Sequence, residues 1–375
     1  MGRGSISIGT IAGIRIYLHP SWFVIAFLIT FMLAVSLPDT FPGWQPALYW
    51  VVAAVVAALF FASVLAHELS HAFVARRFGV EVRDITLFIF GGAASLEQDA
   101  PAPRAEAVVA AAGPLSSIVI GLVLLALAAV IRQPQLEATI GWLANVNLAL
   151  GVFNLIPGFP MDGGRILRAV LWKLRGDQVS ATRIAAAVGR GFGYLLIGLG
   201  VWLVFQGPDL LTSGIWLALI GWFLSSAAES AVVQVSVERS LRGVRVRDVM
   251  ESEPPSVSPN ETVADLINDR LMRGEHRSFL VRHDDGGLAG LVTLTDVRRL
   301  AREDWPSARV TDVMTRYSDL ETVGPDDPVD RALGVLQQRE VNQLPVVTDG
   351  GRTVVGLLTR AGILRLIDTR LKLGV

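Results

Sequence analysis

The stretch SVLAHELSHAFVARR, Ser63 to Arg77, places a His-Glu-x-x-His pattern at His67, Glu68 and His71 on the end of a long apolar run that is itself closed by Arg76 and Arg77. Working outward from it, apolar segments long enough to cross a bilayer are expected at 21–37, 47–74, 105–131, 140–156, 184–205 and 210–233. The composition agrees: 52% of the 375 residues are hydrophobic and the mean hydropathy is +0.49, too apolar for an ordinary soluble enzyme. The fold class expected is a polytopic α-helical membrane protein of about six spans with something soluble attached. The first residues lack the basic, apolar and small-residue order of a cleaved signal, so the first span is expected to remain as an anchor. With no cysteine, disulfides, thiolate zinc sites and cysteine nucleophiles are excluded, and a net charge of −1 points to no nucleic-acid partner.

The arginines and lysines orient the spans. The connections LPDTFPGWQP (37–46) and QGPDLLTSG (206–214) carry none, and the one near residue 132 carries only Arg132. The opposite side holds Arg3 and Arg15, then Arg76, Arg77, Arg83 and Arg104, then Arg165, Arg168, Lys173, Arg175 and Arg183, then Arg239, Arg242, Arg245 and Arg247. Basic residues gather in cytoplasmic loops, so both termini are expected in the cytosol and HELSH near the cytosolic end of the second span.

Charged groups inside a span cost about 2.5–3.5 kcal/mol each on the insertion scale, which makes HELSH a candidate site rather than helix-end polarity. Residues four apart share a helix face, so His67 and His71 can hold one metal ion, with Glu68 beside them as general base toward a water. Two histidines need a third ligand. His19 precedes the first span, and His276 and His283 lie in the polar tail, so a carboxylate from another membrane segment is the better candidate. The stretch FNLIPGFPMDGGRILR (153–168) breaks an apolar span with prolines and glycines and places Asp162 at the break. Irregular backbone at membrane depth is tolerated only where protein buries it or where it lines a wet cavity. Asp162 reads equally as an N-cap for a helix beginning near Arg165.

HELSH, GGAASL from Gly91, AAAGPLSS from Ala110 and NLIPGFPMDGG from Asn154, in that order, resemble the site-2 protease family of intramembrane zinc metalloproteases over roughly the first 235 residues. The resemblance implies zinc ligands His67, His71 and Asp162, Glu68 as base and acid, and Asn154 as a residue that positions the substrate or its oxyanion. It also implies a substrate that is itself a membrane-anchored protein. Ser117 departs from the pattern, since relatives often carry Asn there. A membrane helix hides its backbone in internal hydrogen bonds, so such a substrate must unwind before it is cut. SISIGTIAGIRIYL (5–18) and VEVRDITLFIFGG (80–92) read as short strands of a small membrane-associated β-sheet. Its edge could add the substrate as an extra strand, or the sheet could merely plug the membrane domain.

From about residue 243 the composition turns polar, and RVRDVM at 245–250 and GLVTLTDVRRL at 290–300 recur as RVTDVM at 309–314 and GLLTRAGILRL at 356–366. This repeat resembles a soluble α+β pair of cystathionine β-synthase (CBS) domains. The expected division is a metalloprotease domain at 1–236, a linker at 237–243, and CBS domains at 244–304 and 305–370. The CBS pattern implies an adenine nucleotide held by Thr293 and Asp296 of the first copy and Thr359 of the second, where Gly362 replaces the Asp; the alternative is a pair that only forms a homodimer. The expected activity is zinc-dependent cleavage within a prokaryotic cell membrane. The rival is a CBS-regulated channel or transporter whose intramembrane polar groups form an ion path.

Overall fold

The computed structural model describes residues 4–89, 91–96, 100–272, 274, 276–283, 286–348 and 353–373. The chain divides into two units, Met1–Val235 and Ser236–Val375.

Among its described residues the first unit contains six helices long and apolar enough to cross a membrane: α1 (Pro20–Thr40), α2 (Pro46–Arg77), α3 (Pro103–Val130), α4 (Pro134–Asn154), α6 (Gln178–Val204) and α7 (Pro208–Leu241), whose last turns belong to the second unit. Five of them open on proline, whose fixed φ suits a first turn and whose missing N–H is no loss there. The other, α6, is capped by Asp177, whose carboxylate accepts from Ser180 N–H at 2.9 Å. His19 caps α1 through Ser21 N–H. The expected linker at 237–243 is helical as far as Leu241, which its apolar residues explain: Val237 and Leu241 pack into a hydrophobic cluster of the second unit.

Between α4 and α6 lies α5 (Asp162–Arg175), a polar-faced helix too short to span, ended by Gly176 at φ 74°. It starts at Asp162 rather than near Arg165. Met161 stands before it in extended conformation and its carbonyl takes Gly164 N–H at 3.0 Å, so Asp162 is a first-turn residue and no N-cap. The preceding loop packs on α6 through Phe159 N–H to the Ala185 carbonyl at 3.2 Å.

A four-stranded sheet, β1 (Ile6–Ile11), β2 (Ile14–Leu18), β3 (Val82–Phe88) and β4 (Gly91–Leu96), runs in the order β1-β2-β3-β4. β2 and β3 are parallel and the outer pairs antiparallel. Ile14, Ile16, Leu18, Ile85 and Leu87 form one buried cluster with Val64, Ala72 and Ala75 of α2. Burying one sheet face on the helix that carries HELSH fixes the register of the strands beside it. The stretch 80–92 therefore splits into a central strand and an edge strand, with Phe90 outside the described residues.

In the second unit, β5 (Ser256–Val257), β6 (Ser278–Arg282), β7 (Leu288–Thr293) and β8 (Thr315–Arg316) form one sheet, and β9 (Gln343–Thr348) pairs with β10 (Thr353–Thr359). Helices α8 (Val263–Asp265), α9 (Leu294–Val297), α10 (Val310–Val313), α11 (Val329–Gln338) and α12 (Arg360–Leu373) cover them. The two sequence copies exchange their leading segments. Val246 is buried with Val329, Leu336, Leu344 and Ile363 of the second copy, and Glu251 bridges to Leu357. Val310 is buried with Val257, Phe279 and Val292 of the first copy, and Thr315 pairs with Leu291.

Candidate metal centre

α2 turns His67, Glu68 and His71 toward α3, α5 and β4. His67 and His71 are buried, as their places on one apolar helix face require. Asp162 reaches them from the first turn of α5: its Oδ2 lies 3.2 Å from His67 Nε2 and 3.2 Å from His71 Nε2, and the two Nε2 atoms are 3.2 Å apart. These three residues are the metal-competent cluster found among the described residues. Burial by itself would raise the Asp162 carboxyl, but the two facing imidazoles outweigh it and hold that carboxyl well below the usual carboxylate range.

The outer ring nitrogens show what the inner ones can do. His71 Nδ1 donates to the Val109 carbonyl at 2.7 Å, and a carbonyl only accepts, so a neutral His71 carries its hydrogen on Nδ1 and presents a lone pair at Nε2. That lone pair faces a carboxylate oxygen, an arrangement that needs a proton or a cation between them. His67 Nδ1 is 2.9 Å from Ser117 Oγ. The donor set fits zinc: ligands at about 2.0–2.2 Å in tetrahedral geometry stand roughly 3.3–3.5 Å from one another, close to the 3.2 Å seen here. Three protein ligands leave a fourth position open, as catalytic zinc sites do.

Two glycines make the approach possible. A Cβ on Gly113 of α3 would overlap His71 Nε2 and sit 2.6 Å from His67 Nε2. A Cβ on Gly92 of β4 would overlap the Glu68 side chain, 2.7 Å from its carboxyl carbon. Both lie in stretches, AAAGPLSS and GGAASL, that the sequence marks only as family-like; their steric role is not legible there. Behind the site, Arg168 of α5 donates through Nε to Glu106 Oε1 of α3 at 2.5 Å, with Nη2 on the same oxygen, and its guanidinium lies 5.3 Å from the Phe159 ring centroid. The sequence carries no signal for this pair, and Arg168 stands there only among the basic residues that orient the spans.

Asn154 ends α4 with its side-chain amide donating to Leu150 of its own helix at 3.0 Å, and among the described residues no hydrogen bond joins it to the cluster. In the second unit, Thr293, Asp296 and Thr359 line one cavity of about 1520 Å³. There Asp296 Oδ2 accepts from Thr293 N–H at 3.0 Å and from its hydroxyl at 2.7 Å, while Thr359 Oγ1 accepts from Gly362 N–H at 3.0 Å.

Residues 55–134 and 128–198 match the model of peptidase family M50, and 246–303 and 310–369 match the CBS domain. The chain is 38% identical over 370 residues to the zinc metalloprotease Rip3 of Mycobacterium tuberculosis, covering 98% of this chain and 93% of that protein. It is 36% identical over 369 residues to the zinc metalloprotease sll0528 of Synechocystis, covering 98% and 96%. The solved site-2 protease of Methanocaldococcus jannaschii matches 61% of this chain and 95% of its own at 35% identity, with a TM-score of 0.43. The family model and the two metalloprotease relatives displace the ion-path reading: the chain belongs to peptidase family M50, as a multi-pass zinc-dependent endopeptidase of the site-2 protease type that carries a pair of CBS domains.

Proposed function

We propose that this protein cuts membrane-anchored protein substrates within the cell membrane near its cytosolic face, with His67, His71 and Asp162 as zinc ligands and Glu68 as general base and acid. The observation that carries the reading is the convergence of two imidazoles and a carboxylate at 3.2 Å, on a membrane helix, with a carboxylate at the intervening position 68. Zinc bound there supplies Lewis acidity, polarising the scissile carbonyl and acidifying water at the open position. Glu68 takes the proton of the attacking water and passes it to the departing amide nitrogen. Asn154 serves the substrate from the end of α4, which requires its amide to leave Leu150 when substrate arrives.

The chain must present an extended substrate to this site, and the position of β4 supports a way to do so. Among the described residues β4 pairs with β3 alone, and its Gly92 backbone lies against Glu68. A locally unwound substrate added to the free edge of β4 gains the main-chain hydrogen bonds it gave up, directly beside the base. Both termini then face the cytosol, by the arginine distribution. The 1520 Å³ cavity with Thr293, Asp296 and Thr359 on its walls suits an adenine nucleotide, and the CBS pair joins two copies into a homodimer. No nucleic acid takes part.

Glu68→Gln tests the central claim. The variant is expected to keep about one zinc per chain and to lose cleavage by about 10²–10⁴-fold. Membrane proteomes of cells carrying active or Glu68→Gln enzyme should then differ in the abundance of intact substrates. Active purified protein that holds no zinc would sink the proposal.

A further inference from the structure

The two zinc-facing histidines are held from behind by different kinds of partner. His71 Nδ1 meets a backbone carbonyl, which no side-chain substitution can remove. His67 Nδ1 meets the hydroxyl of Ser117 at 2.9 Å, a group that can either give or take a hydrogen. Ser117 is 0% exposed, so water does not compete for that contact. It stands one helical turn beyond Gly113, where α3 comes so close to α2 that even a Cβ would strike both imidazoles. In so narrow a gap the short hydroxymethyl group reaches His67 directly.

We propose that Ser117 is a positioning residue of the metal centre: its Oγ accepts the Nδ1 hydrogen of His67 and so aims His67 Nε2 at the point shared with His71 Nε2 and Asp162 Oδ2. The inference rests on the metal reading given above and extends it to a residue outside the ligand set. An imidazole with no partner behind it rotates about χ2, and each wrong orientation withdraws Nε2 from the metal. Loss of such an outer partner typically weakens metal binding by about 10–100-fold.

The test uses the full-length protein in detergent, with zinc affinity measured by competition against a chromophoric chelator. The cobalt-substituted visible spectrum is recorded as a second readout. Ser117→Ala removes the acceptor, and Ser117→Cys keeps the space filled but offers only a weak one. Both variants are expected to bind zinc about 10–100-fold more weakly than wild type, with an altered cobalt spectrum and a nearly unchanged melting temperature of the metal-free protein. If Ser117 merely fills space, Ser117→Cys binds zinc as wild type does, and that result overturns the proposal, as does wild-type affinity in both variants. Should Ser117→Ala fail to fold, the cysteine variant decides alone. A wild-type protein that is active without zinc would instead bring down the metal reading itself, which separates the two failures.

Discussion

Arg168→Met should cost more stability than any surface substitution in the membrane unit, because of what it leaves behind. Glu106 is 0% exposed and the Arg168 side chain only 10% exposed, and two guanidinium nitrogens converge on Glu106 Oε1. Removing the arginine takes both guanidinium contacts away from a carboxylate that water cannot reach. Breaking one side of a buried pair typically costs about 3–5 kcal/mol, and the guanidinium above Phe159 adds about 0.5–1 kcal/mol. For a unit of this size each kcal/mol moves the melting temperature by about 2–4 °C. The 3–5 kcal/mol loss alone therefore predicts a drop of about 6–20 °C in metal-free protein, read by thermal unfolding in detergent.

The double variant Glu106→Leu/Arg168→Met supplies the refutation. If the cost is that of the broken ion pair, removing both partners recovers most of the loss, since apolar replacements of a buried pair are often neutral or stabilising. A double variant as unstable as the sum of the two singles would refute the reasoning and mark both residues as independent packing elements. The same pair ties α5 to α3, so Arg168→Met is also expected to lower zinc occupancy through Asp162, whereas the double variant restores it.

Gly113→Ala should abolish zinc binding, measured as metal per chain, because the new methyl would occupy the space of the two Nε2 atoms. Gly92→Ala should leave zinc in place and lower cleavage at least as far as Glu68→Gln does if the base cannot move aside; wild-type turnover would show that β4 yields there. Asn147 is 0% exposed with its Oδ1 unpartnered among the described residues, so Asn147→Leu is expected to stabilise the metal-free protein by about 1–3 kcal/mol; a lower melting temperature would count against it. Calorimetric titration of the full-length protein with adenosine nucleotides should give heat that Asp296→Ala removes. The same variant loses the helix cap made with Thr293, worth about 1 kcal/mol, so heat that survives it would place the ligand elsewhere.

The parts of this molecule that were legible in its sequence are those governed by one-dimensional patterns. Apolar length marks all six spans, and four-residue spacing puts His67 and His71 on one face. What stayed hidden depends on how closely two backbones approach. Gly113 and Gly92 look like ordinary small residues of family motifs, yet each is the only residue type that leaves room for an imidazole or for Glu68. Glu106 and Arg168, 62 positions apart, carry no pattern that pairs them. Asp162 lay between: its place at a helix break was visible, but N-cap and ligand are the same residue type at nearly the same position, and it takes Met161 at the cap and the carboxylate's approach to both Nε2 atoms to separate them. The CBS repeat shows the converse limit. Its 64- and 66-residue spacings identify two equivalent copies, but equivalence is preserved whether each leading segment packs on its own copy or on the other. Val246 among second-copy residues and Val310 among first-copy residues decide for exchange, so an expression boundary cut between the copies at 304 would remove from each core a buried valine that the other half carries.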